Sequence, residues 1–476
     1  MLKKAKIAII GGGVAGSTTA LYFGQLGLDV TLFEKEPSLV SGPPFCHLHA
    51  GGNLYREISD RQCVTLLKQS IDFLRFYPFV VDYRPTVIAL PTTDKSTPSA
   101  LIPRLELLKK EYQEFIERDI ENKVLGESKH YYKLYEQEEL EALKEHETIS
   151  HPQTDDEWMI PVAQNIDLDK VQFPLIMVQE YGLNLFRLAS GAKLALNELS
   201  SVTLRTQTEV TQISKRDETW DITYKNEHDE QTENFDYLIN ASGFRTGKID
   251  DMVNAPCKGM VEFKAAYVSQ WKTNDQTLFP EIIFHGERGT PQGMGQFTPY
   301  PSGYFQLHGM TTDITLYKDG LVANTALSCQ PKLGQTFMDK IEKSWSTEET
   351  HKRTTSAIEH LSQFIPAFSE ATVGSKPLFG AQQIPGDDPT LRVAEVSFPT
   401  DHYARCEIVK VSSVMDMIDS IIKRLIGLNY LDSSAQNKRE FGYLKNLKEE
   451  NIKAYAEELC VEREYPKCLA NRNITK

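Results

Sequence analysis

Residues 5–10, Ala-Lys-Ile-Ala-Ile-Ile, form a short apolar run that reads as a buried strand, and three glycines follow it. Helical periodicity then runs from about Ala15 to Leu26, and a second apolar run, Asp29 to Phe33, ends at Glu34. Strand, glycine turn, helix and strand in such close succession predict a βαβ unit with parallel strands. Residues 41–55 are rich in Gly, Pro and His and read as a loop. The charged stretch 103–146 is expected to be mostly helical, with Leu105, Leu108, Tyr112, Phe115 and Ile116 on one face and its charges in water. A second amphipathic helix is expected over 183–199. Two runs, Val202 to Ile213 and Trp220 to Tyr224, read as a hairpin, and Tyr237 to Asn240 as a further strand. From about 258 to 330, aromatic and β-branched residues alternate between Gly and Pro turns, which predicts an antiparallel sheet. Residues 413–427 form a strongly periodic helix with Val414, Met417, Ile418, Ile421, Ile422 and Leu425 on one face. Core burial is expected for that face in preference to docking on a membrane surface. A charged helical tail, 431–476, completes the pattern.

The chain's 476 residues carry 52 Lys and Arg against 66 Asp and Glu, a net charge of −14. Nucleic acid is thereby excluded as a main partner, because binding it needs a basic stripe over the phosphates. Length suggests two or three domains. The seven cysteines show neither a C-x-x-C pair nor zinc-ligand spacing, so no metal site is expected. The apolar run after Lys3-Lys4 stops too early for a signal peptide, and no stretch approaches the ~20 apolar residues of a membrane span. The expected compartment is reducing and cytoplasmic.

Gly11-Gly12-Gly13-Val14-Ala15-Gly16 satisfies G-x-G-x-x-G. In such a turn the first glycine permits the bend, the second lets a pyrophosphate approach the backbone, and the third allows close helix–strand packing. The anion rests on the free N–H groups at the helix start. Glu34 closes the second strand, where a carboxylate can accept ribose hydroxyls. The long small-residue loop after it, Gly42 to Leu54, suits a backbone running beside a ring system that a nicotinamide nucleotide does not have.

On these residues the chain resembles the D-amino-acid-oxidase-like superfamily of FAD enzymes, a group that includes glycine and sarcosine oxidases, L-2-hydroxyglutarate oxidase and malate:quinone oxidoreductase. His49-Ala50-Gly51-Gly52 is similar to the segment that 2-hydroxyglutarate oxidases set beside the flavin. Val210-x-x-Ile213 to Trp220 resembles the adenine-side hairpin, and Ile239-Asn240-Ala241-Ser242-Gly243 the second strand-to-glycine motif near the pyrophosphate. Gly293 through Gly309 looks like the substrate-domain strand pair. The family's glycine-rich turn before its last FAD-binding helix has no glycine here, where Lys410-Val411-Ser412-Ser413 stands in its place. The resemblance implies an α/β fold. A Rossmann-like FAD-binding domain is expected from 1–75, 180–250 and 370–430, and an antiparallel-sheet substrate domain from 76–179 and 251–369. It further implies FAD as cofactor, non-covalent in preference to attached through His49, held by Gly11, Gly13, Gly16, Glu34, His49, Gly51, Val210, Ser242, Gly243 and Ser412.

For chemistry, His285 and His308 are candidate bases, since a neutral imidazole can take an alcohol or amine proton as hydride leaves. Arg187, Arg245, Arg288 and Arg405 are candidate clamps for a carboxylate, with Arg288 foremost. The expected reaction is FAD-dependent oxidation of a small anionic substrate at a C–H next to O or N, a 2-hydroxy acid first, with O2 or a quinone as electron acceptor. Alternatives are an amino-acid or amine oxidase, a flavin monooxygenase with Gly386-Asp387-Asp388-Pro389 as its motif, and a flavin-binding partner without turnover.

Overall fold

The computed structural model describes residues 2–42, 46–47, 56, 58–274, 276–436 and 439–474. Two large sheets organise the chain. The first has six strands in the order Val396–Thr400, Tyr403–Cys406, Tyr237–Asn240, Lys6–Ile10, Asp29–Phe33, Val202–Arg205. Its neighbours are parallel except for the first pair. Lys6–Ile10 lies in the middle and is buried on both faces, which explains its unbroken apolar run. Ile7 and Ile9 point into a core built with the helices Val14–Gln25, Asp60–Phe76, Leu185–Asn197 and Val414–Gly427. Ala8 and Ile10 point the other way, onto a three-stranded sheet that contributes Ile213, Trp220, Ile222 and Phe235.

The expected hairpin divides. The chain turns through Gln207, which has φ +51°, and changes sheets there. Val202–Arg205 adds a parallel strand beside Asp29–Phe33, and only Glu209–Arg216 pairs with Thr219–Lys225 as a hairpin. The stretch 103–146 is also more mixed than its charge pattern predicts. A helix covers Ile102–Arg118, burying Leu105, Leu108, Tyr112 and Phe115, and a strand, Tyr132–Tyr135, precedes the short helix Gln137–Leu143. The apolar face of Val414–Gly427 is buried in the first core, including Met417, Ile418, Ile421 and Leu425, so it is not offered to a membrane. Among the described residues no helix is long and apolar enough to cross one.

The second sheet is mainly antiparallel and has Gly259–Gln270, Tyr304–Gly309, Gly295–Tyr300 and Glu281–Phe284 as consecutive neighbours. Thr86–Pro91 and Val171–Val178 extend it. Thr372–Val373 and Leu378–Pro385 also pair with Gly259–Gln270, so the stretch 370–430 contributes to both large sheets. One face is apolar: Phe263, Tyr267, Ile282, Phe284, Phe297 and Leu307 pack under the helices Asp155–Asn165 and Thr347–Ser362. The opposite face carries Glu281, Gln296, Thr298, Gln306 and His308, which are equally buried. The tail does not stand apart: its helix Glu449–Glu462 packs on Leu185–Asn197, burying Ile452, Ala456 and Leu459 in the first core.

The first helix abuts the first strand with no space between them. A Cβ on Gly16 would lie 1.8 Å from the Gly11 carbonyl oxygen. Gly16→Ala is expected to cost about 1–3 kcal/mol or more through forced backbone movement, and a thermal melt of the holoprotein, with a clearly lowered Tm, checks it.

Candidate functional site

The site grows out of the C-terminal ends of two adjacent parallel strands. After Lys6–Ile10 the chain bends at Gly11, whose φ of +101° is a left-handed conformation suited to glycine. Its N–H donates to the Phe33 carbonyl at 2.8 Å. Beside it, Tyr237–Asn240 ends in Ala241, whose N–H donates to the Ile10 carbonyl at 2.8 Å, and a Cβ on Gly11 would fall 2.5 Å from the Ala241 oxygen. The two turns are therefore interlocked backbone to backbone. Glu34 braces them from below: its Oε2 accepts from the Gly12 N–H at 2.6 Å and its Oε1 from Glu36 at 2.7 Å. Burial raises the Glu34 carboxyl above its ordinary pKa, against the opposing pull of those two backbone donors.

Gly13 and Gly243, one from each turn, line a cavity of about 1320 Å³ between the two sheets. Nothing lies within 4 Å of the Cβ position at either residue. Ser242 does not reach the cavity, and its hydroxyl donates to the Ile10 carbonyl at 3.2 Å. At the entry to the helix Val414–Gly427 it is Lys410 and Val411 that line the cavity, while Ser412 is buried behind them. Val210 packs in the small core under the three-stranded sheet. His49 and Gly51, with the side chain of His47, lie outside the described residues.

The polar face of the second sheet supplies the opposite wall. His285, Gln296 and His308 line it, with exposures of 4%, 2% and 7%. Gln296 and His308 are directly opposed on neighbouring antiparallel strands, so their side chains share the face. The His308 Nδ1 lies 3.5 Å from the Thr315 hydroxyl. Arg288 also lines the cavity, half-exposed, with Nη2 donating to Glu262. All three catalytic candidates, His285, His308 and Arg288, thus meet at one cavity.

The other proposed clamps do not. Arg187 is buried away from the cavity, donating to the Phe79 carbonyl at 2.7 Å and pairing with Glu449 at 2.5 Å. Arg405 is held by Asp250 at 2.9 Å and by the Ala255 carbonyl. Arg245 pairs with Glu342 at 2.7 Å. Each is a structural ion pair. In their place the cavity offers residues that the sequence reading passed over: Glu262, Lys264 and Arg392. Glu262 and Lys264 alternate with Val261, Phe263 and Ala265 along one strand, a pattern of two charges in phase on a half-buried strand. Lys264 pairs with Glu262 at 2.5 Å. Burial, and then the nearby Arg288 and Arg392, push the Lys264 ammonium down to about 8, against the pull of Glu262. Lys264 and Arg288 in turn hold the Glu262 carboxyl below its usual range, despite its burial. Farther along the rim, Arg56 forms a two-point pair with Asp94, at 2.9 and 2.7 Å, which lowers the Asp94 carboxyl.

A glycine pair with open Cβ positions at a helix start is the cradle that a pyrophosphate requires. Residues 6–392 match the FAD dependent oxidoreductase family. The chain belongs to that family. Its fold is shared by L-α-glycerophosphate oxidase from Mycoplasma pneumoniae, solved with FAD bound, at 16% identity and a TM-score of 0.55 over 89% of this chain and 95% of that one. Glycine oxidase from Geobacillus kaustophilus aligns at 12% identity and a TM-score of 0.55, covering 92% and 99%. L-amino acid deaminase from Proteus vulgaris aligns at 13% and 0.54, covering 90% and 97%. No curated protein sequence matches the chain. This FAD-dependent oxidoreductase is an enzyme of the D-amino-acid-oxidase type, and the expectation of a flavin-binding partner without turnover is set aside.

Two predictions follow from the walls of the cavity. A side chain at position 13 starts in open space, with no protein atom within 4 Å of its Cβ, so Gly13→Val is expected to fold, keeping its apoprotein Tm, and to purify without the flavin absorbance. Lys264 faces Glu262, Arg288 and Arg392 and carries its charge only below about pH 8. Affinity for a simple carboxylate such as acetate, read from flavin difference spectra, is therefore expected to fall as pH rises through that value. Lys264→Met should abolish the step.

Proposed function

We propose that the cavity oxidises a small anionic substrate at a C–H bond next to oxygen or nitrogen, with a 2-hydroxy acid as the leading candidate. The reading rests on one juxtaposition: two buried imidazoles, His285 and His308, share a wall with the cations Lys264, Arg288 and Arg392, opposite the glycine cradle. FAD, when bound, supplies the hydride acceptor. Gly13 and Gly243 would hold its pyrophosphate on the backbone, and Glu34, which fixes the turn that carries Gly13, would accept the ribose hydroxyls. The substrate's carboxylate is held at the cationic end of the opposite wall, where burying it unpaired would cost several kcal/mol. Its hydroxyl then reaches His308, the first choice of base, or His285, and the imidazole takes the hydroxyl proton as the C–H bond breaks.

An amino acid is the second reading. It has support in two proteins that share the fold, a glycine oxidase and an L-amino acid deaminase. A screen of 2-hydroxy and 2-amino acids for anaerobic bleaching of the flavin separates the two. Recolouring in air, or only on adding a quinone, then assigns the electron acceptor. Bleaching by neither class sinks the functional reading.

Arg288 is half-exposed and shared with Glu262, so its grip is weaker than that of a fully buried cation. Arg288→Ala is expected to lower kcat/KM on the acid that bleaches the flavin by about ten- to a hundredfold, roughly 1.5–3 kcal/mol, with FAD content unchanged. Unaltered kinetics would transfer the role to Lys264 and Arg392.

A further inference from the structure

Behind the catalytic wall runs a buried chain of charges that ends at one amide. Arg84 and Glu281 are 4% and 1% exposed, and Arg84 Nη1 donates to Glu281 Oε2 at 2.7 Å. Arg84 Nε lies 3.2 Å from Asp82 Oδ2, and Asp82 in turn accepts from the Asn473 amide at 3.1 Å and from the Ile474 N–H at 3.0 Å. The remaining oxygen of Glu281, Oε1, accepts from Nε2 of Gln296. Glu281 itself does not line the cavity, whereas Gln296 does.

This arrangement decides which way the Gln296 amide faces. A carboxylate has only acceptors, so it draws the NH2 end of the amide and repels the carbonyl end. Turning the amide over would set Gln296 Oε1 against Glu281 Oε1, two acceptors with no proton between them, in a buried site where such a clash is costly. Arg84 holds the carboxylate in place, so the amide is locked. Among the described residues no donor reaches Oε1 of Gln296. A side chain that is 2% exposed, that lines the cavity and whose carbonyl oxygen has no donor among the described residues is an acceptor awaiting one.

We propose that Oε1 of Gln296 accepts the hydrogen bond of the O–H or N–H on the substrate's reacting carbon, and so selects substrates that carry a donor there. The inference rests on the functional reading above. Gln296 stands directly across the strand pair from His308, so the one hydroxyl proton donates to Gln296 on binding and swings across to the imidazole as the C–H bond breaks. It also separates reactant from product. Oxidation of a C–O–H group to C=O removes the proton that Gln296 binds, one hydrogen leaving as hydride and the other as a proton to the base. Two acceptors then face each other, which favours release of the 2-oxo acid. An amine oxidised to an imine keeps an N–H and gains no such release. Gln296 is thus a specificity-determining residue, and Glu281 a positioning residue that acts through it.

The test uses the holoenzyme and a panel of 2-hydroxy acids from glycolate to 2-hydroxyglutarate, with their O-methyl ethers, 2-oxo acids and matching 2-amino acids. Flavin difference spectra give the affinities of unreactive members, and saturation of anaerobic flavin reduction gives those of substrates. Wild type is expected to bind the free hydroxy or amino acid about tenfold or more tightly than the ether. In Gln296→Met that ratio should fall close to one, with ether binding and FAD content unchanged. Glu281→Gln leaves the cavity wall in place but frees the amide to turn, and should lower the same ratio. It decides the matter if Gln296→Met does not hold FAD. A ratio that survives in these variants, or wild type that binds ether and free acid equally, overturns the inference and leaves the functional reading standing. Wild type that binds no member of the panel overturns the functional reading and the inference with it.

Discussion

The architecture depends on a contact that has no side chains in it. Gly16, at the start of the first helix, presses on the carbonyl of Gly11, and Gly11 in turn presses on the carbonyl of Ala241. Three stretches of backbone meet at less than the distance a methyl group would allow. This contact fixes where the helix begins, and so where its free N–H groups point. It also brings the turn after Tyr237–Asn240 level with the turn after Lys6–Ile10, which is why Gly13 and Gly243 open on one cavity. At these positions packing has no latitude in side-chain volume.

The second constraint is the two-faced antiparallel sheet. Its apolar face packs under helices in the ordinary way, with Phe297 and Phe305 stacked at 4.3 Å. Its other face buries Glu281, Gln296, Gln306 and His308, where apolar residues would be more stable. Ion pairs and hydrogen bonds offset part of that cost, most visibly between Arg84 and Glu281. This polar face lies against the cavity, where Gln296 and His308 line its wall.

How much of this could be read from sequence depended on whether the signal was local. The βαβ unit was legible almost to the residue, because glycines and apolar runs punctuate it: the second strand spans Asp29–Phe33 as expected. The joint placement of His285, Arg288 and His308 followed from reading 258–330 as one sheet. The break at Gln207 was not legible, since both halves of Val202–Ile213 have strand composition and only tertiary pairing assigns them to different sheets. Nor could the fate of Arg187 and Arg405 be read, because their acidic partners lie 262 and 155 residues away. Glu262 and Lys264 did leave a local trace, the in-phase charges on a strand whose other residues are apolar. The direction of the Gln296 amide left none, because it is set by a carboxylate on a neighbouring strand and an arginine far up the chain.

The six-stranded sheet takes its strands from nearly the whole length of the chain. Lys6–Ile10, the first to be synthesised, pairs with Tyr237–Asn240, which in turn pairs with Tyr403–Cys406. Contacts so remote in sequence close slowly, since each loop must be ordered before its strand is rewarded. The two turns of the glycine cradle therefore cannot meet until the strand that ends at Ala241 has been made, since Ser242 and its partner Ile10 lie 232 residues apart. Until Ala241 and its strand arrive, the first turn is an apolar strand followed by flexible glycines, with exposed edges that invite wrong pairing. The two turns that open on the cavity are thus completed late in folding, after their remote strands have paired.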